Sequence, residues 1–319
     1  MKNATLYFHY PCFDGLVSGV LAWEFLEKHA GWTISNLVPV DYTLRGKWLV
    51  RKLRKPCAVV DFLYHPRADF WADHHKTSML GPSAKASYRQ RKNRRWLFYD
   101  DRAPSCAGLL YHYLRKSLTH RPHFEDLVNW AQKIDSAAYS SVGEAILGDA
   151  PALQINRSLL AEKEGESEYA RFLITELRSH DLSHVAALKE VKHREQSARR
   201  SLEKGLKRAR EKARLEDGSV VIVDTRKDRN QIVSRYAPYS VKPDARYSIG
   251  IVRSPDRIGI TAMRNPWRKF RSVALGRAME KFGGGGHQRV GAVQLPAGQK
   301  KRVADVVESL LFKMRDPKK

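Results

Sequence analysis

Cysteine is scarce: only Cys12, Cys57 and Cys106 occur in 319 residues. Three is odd, and the spacings lack a zinc-finger pattern, which argues against a disulfide framework and for a reducing compartment. No run approaches the roughly 18 continuous apolar residues of a membrane helix. The opening Met-Lys-Asn-Ala-Thr-Leu-Tyr-Phe-His alternates like a strand and lacks the apolar core of a secretory leader. These absences together give the expectation of a cytoplasmic enzyme of bacterial type. Internal repeats and low-complexity tracts are missing. Acidic residues are the other shortage: 34 Asp and Glu stand against 58 Lys and Arg, a formal net charge of +24. Such a surplus favours a polyanionic partner, although a merely solvated surface gives the same number.

Apolar residues make up 42% of the chain, enough for a packed core. Ala4, Leu6 and Phe8 alternate as one face of a strand, and Leu16, Val20 and Trp23 recur at helical spacing as far as about Lys28. Ile34 to Val40, Cys57 to Phe62 and Phe70 to Asp73 read as further strands. Cys57 to Phe62 is the continuous apolar kind buried in parallel sheets. The alternation predicts an α/β fold, an N-terminal doubly wound and mostly parallel sheet over residues 1–155. Residues 156–217 read as a helical linker, whose charged stretch from Ser167 to Glu216 is taken as one connecting helix, either solvated or lining a nucleic-acid channel. Residues 218–319 form a smaller C-terminal α/β domain. It has a strand at Val220 to Val223, a hairpin of Tyr247 to Val252 with Ile258 to Met263, a helix over Ser272 to Phe282, a strand at Val290 to Leu295 and a helix over Val303 to Met314. The terminal Asp-Pro-Lys-Lys is expected to fray.

Ionisable residues collect at the predicted strand ends of the first domain. His9, Cys12 and Asp14 follow the first strand, Asp61 the third, and Asp73, His74 and His75 the fourth; Asp135 comes later. Singly, each has an ordinary explanation, such as a helix N-cap for an Asp. Together, three apolar strands deliver carboxylate and imidazole to one sheet edge, where ligands of such sheets sit. Mixed His and Asp donors suit Mn²⁺, and also Mg²⁺, Co²⁺ or Zn²⁺. A bridging carboxylate holds two such ions about 3.5–4 Å apart.

The order and spacing of these residues resemble the DHH–DHHA1 phosphoesterases. His9-Tyr-Pro-Cys12-Phe-Asp14-Gly15 resembles the first motif, Val59-Val60-Asp61 the second, Asp73-His74-His75-Lys76-Thr77 the third, and Asp135 falls where the fourth supplies its Asp. In the second domain, Gly284-Gly285-Gly286-His287 with Gly291-Ala292 resembles the glycine-rich DHHA1 signature, and Ile260 to Arg264 the strand carrying a substrate-binding arginine. The resemblance implies two metals, held by His9 and Asp61 on one side and by Asp14, Asp61, His74 and Asp135 on the other. It implies that Asp73 orients the His pair and that His75 contacts the scissile phosphate. Arg264, His287 and the backbone of Gly284, Gly285 and Gly286 would bind substrate phosphate. One departure stands out: Cys12 occupies the neighbourhood of a usual aspartate, either as a soft metal ligand or as a small packed residue.

The implied function is metal-dependent hydrolysis of short single-stranded oligonucleotides or nucleic-acid ends by water. The family also includes phosphohydrolases of small nucleotides and cyclic-dinucleotide products. A catalytically inactive nucleic-acid-binding scaffold is the non-enzymatic alternative, and type II pyrophosphatases share only the first-domain motifs. At 319 residues the chain is nearer the compact nano-RNase members than the RecJ type, which often carries further domains. The clusters Arg89 to Trp96 and Arg264 to Arg271 interleave aromatics with cations, which suits either base stacking or arginines snorkelling over core rings. The partner expected is single-stranded nucleic acid and not a membrane, with a monomer and a homodimer both open.

Overall fold

The computed structural model describes residues 2–92, 95–119, 121–161, 165–228 and 232–315. In chain order the first elements are β1 (Lys2–His9), α1 (Phe13–Ala30), β2 (Trp32–Val40), a 3-10 stretch (Tyr42–Val50), β3 (Cys57–Val60), β4 (Phe70–Asp73), α2 (Gly81–Arg91) and β5 (Leu97–Tyr99). Helices α3 (Cys106–Leu114), α4 (Pro122–Asp135), α5 (Val142–Leu147), α6 (Pro151–Ser158), α7 (Glu166–Ser179), α8 (Leu182–Ala187) and α9 (Lys189–Lys212) follow. The chain closes with β6 (Ala213–Glu216), β7 (Val220–Asp224), α10 (Ala237–Val241), β8 (Tyr247–Arg253), β9 (Arg257–Arg264), α11 (Leu275–Glu280), β10 (Gly285–Gly286), β11 (Val290–Pro296) and α12 (Lys300–Arg315). Among the described residues no helix is long and apolar enough to cross a membrane.

Two compact units emerge: residues 1–138 with 149–195, and residues 139–148 with 196–319. The segment read as a linker, 156–217, is divided between them inside α9. It is not one helix. His180 is extended (φ −131°, ψ 157°), and Asp181 then caps a new helix by accepting from the His184 amide at 2.8 Å. An Asp accepting at the N-cap starts α8 and so ends α7. Ala213 to Glu216 leave the helical pattern altogether and pair antiparallel with β7.

The first unit holds a five-stranded parallel sheet in the order β2-β1-β3-β4-β5. Strand β1 is buried continuously from Ala4 to Phe8, because helices or loops cover both faces. On one side Tyr7, Val59 and Trp71 pack with Trp48, Phe62 and Leu63. Helix α1 starts at Phe13, three residues earlier than the apolar period suggests, which brings Asp14 into its first turn. It is buried nearly all round through Leu26 and stops at Gly31, whose φ of 64° suits a residue without a Cβ.

The second unit holds a six-stranded mixed sheet, β10-β11-β9-β8-β7-β6, in which only β7 and β8 run parallel. Ile249, Ile260, Leu275, Met279, Val306 and Leu310 lie in its core. Helix α11 is shorter than the expected Ser272 to Phe282. The Leu275 and Gly276 amides donate to the Gln288 and His287 carbonyls (3.2 and 2.8 Å), so the chain enters the helix only there. Residues 139–148 join this unit through Trp267, whose Nε1 donates to the Tyr139 carbonyl at 3.0 Å.

Candidate metal centre

Sheet order places the switch point of the winding between β1 and β3, since the chain proceeds from β1 to β2 on one side and then to β3 on the other. Ligands of open parallel sheets bind in the crevice at the carboxyl ends of such strands. His9 ends β1 and Asp61 follows β3, so the two stand on adjacent strands at that crevice, with His9 Nδ1 3.2 Å from Asp61 Oδ2. Asp61 has φ 53°, a left-handed backbone uncommon for a residue with a side chain. Its amide donates to the Ala72 carbonyl at 2.9 Å, which holds the turn.

Asp14 reaches the crevice from the first turn of α1. Gly15 makes this approach possible, because a Cβ there would fall on the His9 carbonyl oxygen. The Asp14 carboxylate accepts from the Cys106 and Ala107 amides at 2.7 and 2.8 Å, at the N-terminus of α3. That helix end favours an anion. Asp73 closes β4 fully buried and organises its neighbours. Its Oδ1 accepts from the His74 amide (2.7 Å), the His75 amide (3.3 Å) and His75 Nδ1 (2.7 Å), and its Oδ2 from the Ser78 hydroxyl.

His74 sits among carboxylates. Its Nε2 lies 3.6 Å from Asp14, 3.7 Å from Asp61 and 3.4 Å from Asp135, which ends α4. Its Nδ1 is 3.0 Å from the Ala103 carbonyl, which can only accept. The neutral ring therefore keeps its proton on Nδ1, and Nε2, which faces the three acids, is the nitrogen left for a second proton or a metal. A His donating its remote N–H to a carbonyl is the usual arrangement of a metal-ligating imidazole. Cys12, half-buried before α1, shares a group with His9 and Asp61 in which all ligand atoms lie within 4.8 Å of one another. Asp14, His74 and Asp135 form a second such group, and Asp61, Asp73 and His75 a third.

The electrostatics are those of a cluster short of positive charge. Burial and then Asp135 push Asp14 up to about 6. Burial, then Asp14, hold Asp61 well above the usual carboxylate range. Burial would lower His74, yet Asp135, Asp14, Asp61 and Asp73 together raise it to about 9. Burial drives the Cys12 thiol well up, and burial with the neighbouring His74 and His9 drives His75 well down. Asp61 Oδ1 is buried without a hydrogen-bond partner among the described residues. Buried carboxylates that repel one another and leave an oxygen unmatched fit divalent cations. The donors are oxygen, imidazole and one sulfur, a set that accommodates Mn²⁺, Mg²⁺, Co²⁺ or Zn²⁺.

The ionisable residues singled out in the first domain are thus gathered at one crevice. Sequence reasoning missed their supports: the Ala103 carbonyl, the Cys106 and Ala107 amides, Ser78, and Tyr42 and Phe62, whose rings flank His9 at 5.0 and 6.0 Å. Only Ser78, next to the Asp73-His74-His75 run, and Ser105, whose hydroxyl caps α3, carried a signal.

In the second unit the glycine-rich segment has a different physical basis from that expected. The Gly283, Gly284 and His287 amides donate to the Glu280, Met279 and Val290 carbonyls, and Gly285 and Gly286 pair with Ala292 and Gly291. The Gly283, Gly284 and His287 amides are thereby engaged within the unit. The small residues serve close packing: a Cβ on Gly276 would meet the Gly286 carbonyl, and one on Gly291 the Leu275 carbonyl. Arg264 stacks its guanidinium 4.4 Å over Phe270 and donates to the Arg268 and Phe270 carbonyls at 2.8 and 3.0 Å. In the two aromatic and basic clusters the aromatics and Arg91 serve as framework, while Arg89, Lys92, Arg95, Arg268, Lys269 and Arg271 are exposed. Arg91 is tied to the Tyr64 hydroxyl and the Pro66 and Ala68 carbonyls, Trp96 packs edge-on to Phe25 and Trp32, and Trp267 packs on Tyr236 and Tyr239. Arg94 lies outside the described residues, as does the terminal Asp-Pro-Lys-Lys.

A parallel sheet with carboxylates and imidazoles at its switch point, joined to a second mixed-sheet unit, has the fold of the DHH–DHHA1 phosphoesterases. No family model matches the chain, and no curated protein matches its sequence. Solved structures do match. A pGpG-specific phosphodiesterase, PggH from Vibrio cholerae, superposes with a TM-score of 0.66 at 19% identity, over 97% of this chain and 99% of that one. RecJ from Thermus thermophilus, in complex with Mn²⁺, gives 0.55 at 15% identity over 98% of this chain and 52% of its own, so the chain spans about half of RecJ. An exopolyphosphatase-related protein from Bacteroides fragilis gives 0.51 at 13% identity, covering 98% and 92%. At these identities the likeness is one of fold.

Proposed function

We propose that the protein is a metal-dependent phosphodiesterase that hydrolyses short single-stranded oligonucleotides. The observation that carries this reading is the switch-point cluster, where Asp14, Asp61 and Asp135 converge on the Nε2 of one tautomerically defined His74. The similarity in fold and length to a pGpG-specific phosphodiesterase supports a small linear substrate over a long polymer. His9, Asp14, Asp61, Asp73, His74, His75 and Asp135 all remain, which speaks against the inactive-scaffold alternative. Hydrolysis of small nucleotides or cyclic-dinucleotide products differs from the favoured reading only in substrate length.

In this reading His9, Asp61 and Cys12 would hold one divalent cation, and Asp14, Asp61, His74 and Asp135 would hold the other. Mn²⁺ is the favoured ion. Bound there, such ions acidify a water and neutralise charge on phosphate oxygens. The protein's own contribution is orientation. The α3 amides fix Asp14, and the Ala103 carbonyl fixes the His74 ring, so their donor atoms stay in place without substrate. Asp73 accepts a hydrogen bond from His75 Nδ1 and so fixes the ring proposed to contact the scissile phosphate. Arg264 and His287 of the second unit, with the segment Gly284, Gly285 and Gly286, remain the proposed substrate contacts, and the bonded Gly284 amide puts the weight on the side chains.

The test is a time course with 5′-labelled RNA and DNA from dinucleotides to about 25-mers, with Mn²⁺ and an Asp61→Asn control. Metal-dependent mononucleotide release, lost in the variant, is expected. Tight salt-sensitive binding without cleavage at any length would replace this reading with the scaffold.

A further inference from the structure

The first unit has a second concavity, distant in character from the acidic cluster. A cavity of about 840 Å³ runs along the exposed edge of β2, lined on the strand by Ile34 to Val38. Around it stand Arg51, Lys52, Arg54 and Arg171, with Trp23 and Asn36 beside them, and no acidic residue lines it. Arg51, Lys52 and Arg54 are exposed and have no ion pair among the described residues. Arg171 is pinned across the strand edge, its Nε donating to the Leu37 carbonyl at 2.9 Å, although Glu168 lies 3.6 Å from its Nη1. The Arg54 backbone is held too, its amide donating to the buried Tyr7 hydroxyl at 3.1 Å.

Four cations in one concavity with no lining carboxylate are an electrostatic footprint for phosphates. The metal centre itself is acidic, so the +24 surplus must act elsewhere. We propose that this β2-edge groove is a second binding site, which anchors the phosphate backbone of a single-stranded nucleic acid away from the scissile bond. The proposal deepens the phosphodiesterase reading, on which it rests for the identity of the strand. Register sets the reach. Val40 pairs with His9 at the metal-centre end of β2, and the groove lines Ile34 to Val38, two to six residues back. At about 3.3 Å per residue that is roughly 7–20 Å from the strand end. A stacked strand advances about 3.4 Å per nucleotide, so the groove meets nucleotides roughly two to six steps from the cleaved end. A dinucleotide is too short to use it.

The experiment compares the wild-type protein with the Arg51→Ala/Lys52→Ala/Arg54→Ala variant, with Arg171→Ala, and with a charge-matched control, Lys301→Ala/Arg302→Ala/Lys313→Ala on α12. Binding of a labelled 20-mer single strand is measured across a salt series without metal. Mn²⁺-dependent cleavage of a dinucleotide and of the 20-mer is measured alongside. The expected result is about tenfold or greater loss of 20-mer affinity in the groove triple variant, with the slope against log salt shallower by about 2. Dinucleotide kcat/KM stays at the wild-type value, and the α12 variant keeps both. Arg171→Ala shifts 20-mer affinity in the same direction, which guards against misfolding of the triple variant as the cause. Unchanged affinity and slope in the groove variants, or an equal loss in the α12 control, would overturn the groove. Absence of any cleavage by the wild-type protein, with the binding loss intact, would overturn the enzymatic reading and leave the groove standing.

Discussion

Replacing Asp61 by Asn separates the cost of the metal centre from its purpose. Burial and the nearby Asp14 hold the Asp61 carboxyl well above the usual carboxylate range, so its ionised form is disfavoured in the folded, metal-free protein. Asn removes that charge and keeps an oxygen for His9 Nδ1, and it tolerates the φ of 53° better than most residues. The metal-free variant should therefore be more stable than metal-free wild type. A rise in Tm is expected at pH 7.5. For a unit of this size each kcal/mol moves Tm by roughly 2–4 °C. Divalent metal should do the opposite. A ligand at 100 times its Kd stabilises the folded wild type by about 2.7 kcal/mol, or roughly 5–11 °C in Tm, whereas the variant should gain under about 2 °C. Thermal unfolding with chelator and with Mn²⁺ reads all four states. A variant less stable than wild type without metal, or one that keeps the full Mn²⁺ shift, would refute the idea that Asp61 is a charge held in place for a cation.

Other perturbations probe the same centre. Asp14, raised to about 6, and His74, raised to about 9, both favour the protonated folded state; the metal-free protein should lose stability as pH rises from about 4 to 6 and again from about 6.5 to 9, and unfolding midpoints across that range check it. Mn²⁺ should flatten this profile, because the cation replaces the protons. Gly15→Ala drives a Cβ into the His9 carbonyl, where backbone and not a side-chain tip must yield. It should cost about 3 kcal/mol or more and lower metal stoichiometry, read by unfolding and metal analysis. Cys12→Ser should weaken Zn²⁺ and Co²⁺ relative to Mn²⁺ by roughly tenfold and remove any thiolate-to-cobalt charge-transfer band, whereas an unchanged preference would make Cys12 a packing residue.

The parallel sheet was legible because its strands are short apolar runs, and such runs have few other uses. Cys57 to Val60 and Phe70 to Asp73 appear where the runs predict them, and the ionisable residues at their ends come with them. Helix limits were less legible. The apolar period of α1 begins at Leu16, but the helix starts at Phe13, since its first turn is fixed by the packing of Gly15 on His9 and not by an amphipathic stripe. The charged stretch after Ser167 misled for a related reason. Its composition is helical throughout, and the break depends on one local hydrogen bond, from the His184 amide to Asp181. The supports of the metal centre were invisible for a different reason. Ala103, Cys106 and Ala107 act through carbonyl and amide groups that every residue possesses, so only the folded path reveals them.

Among the glycines at 283–286, Gly284 and Gly286 serve close packing, a role not expected from the sequence. Consecutive glycines suggest amides offered to a phosphate, yet here the amides of Gly283 and Gly284 are spent on the end of α11. The lack of a Cβ lets α11 and β11 approach at Gly276, Gly284 and Gly291, contacts that no larger residue permits. Substitution at these positions should therefore unfold the segment before it alters any ligand contact. Among the side chains proposed to bind phosphate in this unit, Arg264 already commits one nitrogen to two carbonyls. Along the edge of β2, Arg51, Lys52 and Arg54 gather positive charge around a concavity that no carboxylate lines.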